Sequence, residues 1–166
     1  MTEEKRTARA QGTQGIGGDG ANALKREFRF REPPPEVNEL ARRVIDAAIE
    51  VHRHLGPGYS ESVYEKALVI ELGLRGISFQ PQAGFSVDYK GHEVGEGRMD
   101  LLVERLLVVE LKAVDRFTDV HISQVLSYLK ITALPLALLI NFNVPVLMRG
   151  VKRVVLNHPT NHDGGP

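Results

Sequence analysis

The stretch RMDLLVERLLVVELKAV, residues 98–114, sets Asp100, Glu110 and Lys112 inside two strongly apolar runs. Strand residues two apart point to the same side, so Glu110 and Lys112 share one face of their strand. Leu106, Val108 and Val114 complete that face, while Leu107, Val109, Leu111 and Ala113 form the other. Apolar residues on both sides mark a strand covered on both faces. A charge there is costly unless it is paired or binds a metal. The pattern therefore reads as an active site rather than a solvated edge.

Between Leu101 and Val109 the chain must reverse, around Glu104, Arg105 and Leu106. A three-residue turn sets Val103 opposite Leu107, and hence Asp100 opposite Glu110. Opposed residues of an antiparallel pair lie about 4.5–5.5 Å apart at Cβ. Carboxylates that close repel unless a divalent cation lies between them. The same alternation brings Arg98 out on the face of Asp100. An even-numbered turn without a bulge would put Asp100 on the wrong face, so the parity of the turn tests the reading.

The 166 residues predict a single domain large enough to bury a core, with 42% hydrophobic and 25% charged residues, ordinary for a soluble globular protein. Cysteine is absent, which excludes disulfides and thiolate metal sites and fits a reducing cytoplasm. The N-terminus MTEEKRTARAQ has no apolar run of the kind a signal peptide needs. The longest apolar stretch, residues 131–148, is interrupted by Pro135, Asn141, Asn143 and Pro145, and reads as a buried strand rather than a membrane span. Net charge is zero, and residues 36–156 are near balance as well. A nucleic-acid function must therefore rest on a site and not on bulk electrostatics.

Residues 1–35 read as a disordered N-terminal extension, polar and glycine-rich, closed by Pro33–Pro35. Gly15, Gly17 and Gly20 match a dinucleotide-binding pattern, but no strand precedes them and no apolar helix follows. Residues 36–156 form the folded domain, and residues 157–166 a loose tail that holds His158 and His162. In the stretch ELARRVIDAAIEVHRHL, residues Leu40, Val44, Ala47, Ala48, Val51 and Leu55 make a helical apolar stripe, broken by Gly56–Gly58. A second helix follows over about 60–74. Two strands flank Lys90 and Gly91, and the ELK strand is third. Thr118 is a helix N-cap, with Asp119 in the first turn of a helix to about Ile131. LALLINF and VLMRGVKRVVL are the last strands. The order α-α-β-β-β-α-β-β predicts an α/β sandwich around a mixed sheet.

Glu61, Tyr64 and Leu68 fall on one face of the second helix, and Gln124 and Tyr128 on one face of the third. Taken singly, Glu61 is a first-turn dipole partner and both tyrosines are core aromatics. Together with Asp100, Glu110 and Lys112 they form a set.

GYSESVY, residues 58–64, matches the pattern that names the GxxExxY protein family. The chain from about Glu39 to Leu156 resembles that family throughout, including VHRHLGPG, DLLVE, VVELKAV, QVLSYLK and LLINF. The family is similar to PD-(D/E)XK nucleases, whose restriction-endonuclease-like fold is a mixed sheet flanked by helices. Asp100 matches the first signature Asp, Glu110 the second acidic position and Lys112 the Lys. Met99 stands where the signature has Pro. Gln124 and Tyr128 resemble the Q-x-x-x-Y motif of the exonuclease branch, and Glu61 its helical carboxylate.

The resemblance implies a nuclease acting on DNA, or on RNA. Asp100, Glu110 and the Leu111 backbone carbonyl would hold Mg²⁺ or Mn²⁺. Lys112 would orient water and stabilise charge on the phosphorus. Glu61 would complete the metal shell or position a second metal, Gln124 and Tyr128 would tie their helix to the site or touch the substrate backbone, and Arg98 and Tyr64 are candidate phosphate contacts. Arg98 has a structural alternative, pairing with Glu96 or Asp100. Arg149, Lys152 and Arg153 read as a solvated edge or a modest phosphate patch. His54 is a better metal candidate than His52, though each reads first as structural. Homo-oligomers, or a partner protein that supplies DNA contacts, fit the neutral surface, and no membrane association is expected. A non-catalytic nucleic-acid- or protein-binding module that keeps the fold is the alternative.

Overall fold

Among residues 32–156, which the computed structural model describes, the chain enters its first helix directly from the proline run. The glycine pattern at Gly15–Gly20 and the pair His158 and His162 lie outside the described residues. Helix α1, Pro35–Leu55, carries Pro in its first turn, where the missing N–H would have no helical partner anyway. It buries Val37, Leu40, Ala41, Val44, Ala47, Ala48 and Val51, the expected stripe extended toward the N-terminus. Gly56, at φ 67°, stops it. Helix α2, Glu61–Leu74, buries Tyr64, Leu68 and Leu72 against the same cluster.

The five-stranded sheet runs in the order β1-β2-β3-β4-β5, with β1 Phe79–Tyr89, β2 His92–Val103, β3 Leu107–Lys112, β4 Leu136–Asn141 and β5 Val151–Val155. Only β3 and β4 are parallel. Their crossover carries helix α3, Asp119–Thr132, capped by Thr118, whose backbone N–H donates to His121 Nδ1. Helices α1 and α2 cover Leu107, Val109, Leu111, Leu136, Leu138 and Ile140, while α3 covers Val108, Ala137 and Leu139 on the opposite face. The strand order and the doubly covered β3 match the mixed sandwich expected from the pattern. No helix among the described residues is long and apolar enough to cross a membrane.

Two turns set the register. Lys90 (φ 54°) and Gly91 (φ 82°) close β1 on β2, the left-handed pair that suits the twist of a two-residue hairpin. Glu104, Arg105 and Leu106 close β2 on β3, with Val103 opposite Leu107 as the parity argument requires. One strand is shorter than its apolar pattern. VLMRG forms a 3-10 turn, Leu147–Gly150, and β5 starts only at Val151. Pro145 cannot donate to a ladder, and a Cβ at Gly150 would collide with the Asn141 carbonyl oxygen, so the chain turns there before it pairs.

Candidate active site

β1 and β2 pair along nearly their whole length, but β2 and β3 pair only from Leu101↔Val109 to Val103↔Leu107. Beyond that point the two strands part. Asp100 and Glu110 are the first residues past the ladder, facing each other in its register. Neighbouring strand residues present their backbone groups to opposite sides. The Lys112 carbonyl accepts from Phe142 N–H at 2.8 Å on the β4 side. The N–H and carbonyl of Leu111 therefore face the gap toward β2. There the Leu111 N–H donates to Asp100 Oδ2 at 2.7 Å. The Asp100 side chain takes over a backbone bond that a continuing strand would have supplied, which fixes its carboxylate beside Glu110.

Glu110 and Lys112 form an ion pair, Nζ to Oε1 2.7 Å, with their side chains only 4% and 12% exposed. Glu110 Oε2 is buried and has no hydrogen-bond partner among the described residues. Burial pushes the Glu110 carboxyl up from its ordinary value, and the Asp100 charge adds to that against the opposing Lys112 bond. Asp100 is also raised, by burial first and then by Glu65 and Glu61, although the Leu111 N–H and Lys112 pull it down. For Lys112 burial acts downward, but the bond to Glu110 and the charges of Glu110, Glu61 and Asp100 outweigh it, so the ammonium is held above its usual value. The site thus keeps a firmly charged cation between carboxylates that resist ionisation.

Helix α3 supplies the neighbouring wall. Gln124 Nε2 donates to the Tyr128 hydroxyl at 2.6 Å. Burial raises the Tyr128 phenol, and the Glu110 charge raises it further. Gln124 and Tyr128 therefore share one face of α3 and bond to each other, as their spacing predicts.

Other expectations are corrected. Tyr64 is fully buried and stacked on Phe142 (centroids 4.4 Å apart, 11° between planes), and its hydroxyl donates to the Gly56 carbonyl and accepts from Tyr59 N–H. It has no free polar atom to offer a phosphate and belongs to the core. Glu61 is exposed, and its Oε1 accepts from Ala113 N–H at 3.1 Å. It caps the end of β3 and acts on Asp100 and Lys112 through its charge, instead of completing a three-carboxylate shell. No cluster of three or more His, Asp or Glu able to hold a metal occurs among the described residues. Arg98 does not follow Asp100 to one face. Met99 packs in the α3-side cluster and Leu101 in the opposite one, so the alternation breaks between them. Arg98 is exposed beside Gly84, Ser86 and Glu96, with no ion pair among the described residues, so its pairing with Glu96 or Asp100 is also absent.

His52 Nε2 bonds the Val144 carbonyl, and the exposed His54 Nδ1 the Glu50 carbonyl, both local structural roles. Arg153 pairs with Asn38, and Arg149 and Lys152 are exposed beside it, away from β3 at the far edge of the sheet.

One residue of the site's frame escaped the sequence reading. Asn141, 2% exposed, lies opposite Lys112 in the β3–β4 register. Its Oδ1 accepts from Val114 and Asn143 N–H, and its Nδ2 donates to the Val114 carbonyl at 2.7 Å. The amide extends the strand pairing past Lys112. The only sequence signal is a polar residue inside an apolar run, which by itself reads as an interruption.

A mixed sheet whose second and third strands part around an acid–acid–Lys cluster defines the nuclease-like class of restriction-endonuclease folds. The chain belongs to the PD-(D/E)XK nuclease superfamily, whose family model matches residues 38–154. No curated protein and no solved structure matches it.

Proposed function

We propose that this protein is a Mg²⁺- or Mn²⁺-dependent phosphodiesterase of the GxxExxY branch, cleaving DNA in preference to RNA through Asp100, Glu110 and Lys112. The observation that carries the reading is Glu110 Oε2, a buried carboxylate oxygen with no hydrogen-bond partner among the described residues, beside a second carboxylate at the same strand gap. A buried charge left half-satisfied is expensive and has no structural use. Hard divalent cations take such oxygens, so the donor set fits the ion.

Asp100, Glu110 and the Leu111 carbonyl, which faces the same gap, would hold the cation. When bound, the ion supplies Lewis acidity to a phosphoryl oxygen and makes water a stronger nucleophile at neutral pH. Lys112, charged and pinned by Glu110, orients water and faces the negative charge that builds on phosphorus. The Gln124–Tyr128 bond fixes the α3 wall of the pocket. Glu61 holds the strand end at Ala113 and adds its charge to that of Glu110 in favour of the Lys112 ammonium. Absence of cysteine suits a cytoplasmic setting.

The balanced charge of the chain favours one second reading, a non-catalytic module, or a subunit whose partner or second copy supplies the nucleic-acid contacts. The test incubates the full chain with linear, nicked and single-stranded DNA, and with RNA, in Mn²⁺, Mg²⁺ or EDTA. Metal-dependent DNA cleavage that disappears in Glu110→Ala and Lys112→Ala is expected. Cleavage that persists in both variants defeats the assignment, and DNA binding without cleavage by wild type selects the second reading.

A further inference from the structure

Gln82 sits on β1 at φ +50°, a left-handed conformation that side-chain-bearing residues seldom adopt inside a strand. Its neighbours pair normally, Pro81 with Leu101 and Ala83 with Met99, in one continuous register. Gln82 therefore stands opposite Asp100, and that one step of the ladder is missing. The consequence shows on both strands. Phe79 and Leu101 pack in the α1/α2 cluster, whereas Ala83 and Met99 pack in the α3 cluster, although each pair is separated by an even number of residues. The two strands swap faces together at the step formed by Gln82 and Asp100. A regular β2 would stand the Asp100 side chain up on one face. At the swap its carboxylate reaches Leu111 N–H across the gap. Irregular strand steps next to active sites commonly re-aim a side chain in this way. The distortion is held from outside, because Gln82 Nε2 donates to Glu65 Oε1 on α2 at 2.8 Å.

We propose that Gln82 is a positioning residue, and that its left-handed backbone, pinned by Glu65, turns the Asp100 carboxylate into the β2–β3 gap. The idea rests on the nuclease reading for its effect on catalysis, but not for its effect on geometry. Backbone strain kept at a functional site persists when the surrounding contacts over-determine it, and here α2 supplies the contact.

The test separates conformation from side chain. Val at position 82 resists positive φ and favours a regular strand, while Gly accepts positive φ but cannot reach Glu65. In the metal-free full chain, amide hydrogen exchange at Leu111 reads the Asp100 bond directly, with Asp100→Ala as the fast limit. Gln82→Val should speed that exchange by about tenfold or more, toward the Asp100→Ala limit, with no fall in melting temperature. Gln82→Gly should stay within about threefold of wild type, and Glu65→Ala should fall between them. Glu65→Ala also serves if Gln82→Val fails to fold. In cleavage assays Gln82→Val should lose about thirtyfold or more in kcat with little change in KM for DNA, because misplacing a reacting group by an ångström costs that order. Leu111 exchange unchanged in both Gln82→Val and Glu65→Ala overturns the proposal, as does Gln82→Gly as fast as Gln82→Val. A wild type that neither cleaves nor responds to metal defeats the nuclease reading alone, because the exchange comparison still decides the role of Gln82.

Discussion

Glu110 and Asn141 are the two buried polar side chains among the described residues, on adjacent parallel strands and about equally hidden from water. They are treated oppositely. Asn141 places both amide atoms, making three hydrogen bonds to backbone that would otherwise lose its partners at the end of β3. Glu110 places one oxygen on Lys112 and leaves the other without a hydrogen-bond partner among the described residues. A satisfied buried amide rigidifies and specifies its surroundings, whereas an unsatisfied buried carboxylate is held there against its own preference. The first is architecture and the second is chemistry. They also cooperate, since Asn141 holds the strand end from which Lys112 meets Glu110.

Substitution should break the symmetry of the pair. Glu110→Ala and Lys112→Ala should each lower metal-dependent DNA cleavage by on the order of 10²–10³-fold, the range found for removing one preorganised charge-stabilising group. Rates on a linear duplex in Mn²⁺ check this, and losses under about tenfold would remove both residues from the chemistry. Asn141→Leu should act on the fold instead. It strands the N–H groups of Val114 and Asn143 and the Val114 carbonyl, at about 3 kcal/mol in total. Urea unfolding measures that loss, and an unchanged midpoint would mean that water replaces the amide without cost. Replacing the pair together, Glu110→Gln with Lys112→Met, should leave stability within about 1 kcal/mol of wild type, because paired buried charges contribute little net stability.

The Glu110 side of this comparison was legible before any coordinates, and the Asn141 side was not. Period-two alternation from Leu101 to Lys112, with an odd-numbered turn, was enough to set Val103 opposite Leu107 and so to bring Asp100 and Glu110 to the same end of the ladder. The i, i+4 spacing of Gln124 and Tyr128 worked for the same reason, as a local geometric rule. The failures share a different cause. Asn141 bonds Val114 across a crossover, Glu61 reaches Ala113 from another helix, and Gln82 is held by Glu65. In each case the partner is distant in sequence, so no local rule names it. Arg98 failed because alternation was carried through a step where β2 swaps faces. Tyr64 failed because a face shared with Glu61 leads a tyrosine as readily into the core as into the site.

The open valence of Glu110 predicts a response to ions that Asn141 cannot give. Mn²⁺ at about 100 times its dissociation constant should stabilise wild type by about 2.7 kcal/mol, which raises the melting temperature by several degrees. Asp100→Ala should show no such rise, while Asn141→Leu should start lower and still respond. An equal rise in Asp100→Ala would place the ion elsewhere.

The smallest effect expected is also the one that tests the electrostatics most directly. Asp100 and Glu110 are both raised above their ordinary values, chiefly by burial. Between the ordinary carboxylate range near pH 4 and those raised values, the folded chain keeps protons that the unfolded chain has already released. Their contribution is therefore fully present at low pH and is lost as pH rises through the folded values, the reverse of a salt-bridged surface acid. Lys112 behaves in the same sense at the other end of the scale, since its contribution is fully present below its unfolded value and is lost as pH climbs through the higher folded one. Asp100→Asn keeps an acceptor for Leu111 N–H and removes one of two repelling charges. It should raise metal-free stability at neutral pH by about 1 kcal/mol, as relief of active-site strain commonly does, and flatten the decline that sets in as pH rises above the ordinary carboxylate range. Urea midpoints across that range for wild type and Asp100→Asn decide it. A variant no more stable than wild type would mean that Asp100 is paid for by its bond to Leu111, leaving Glu110 as the one strained acid of the site.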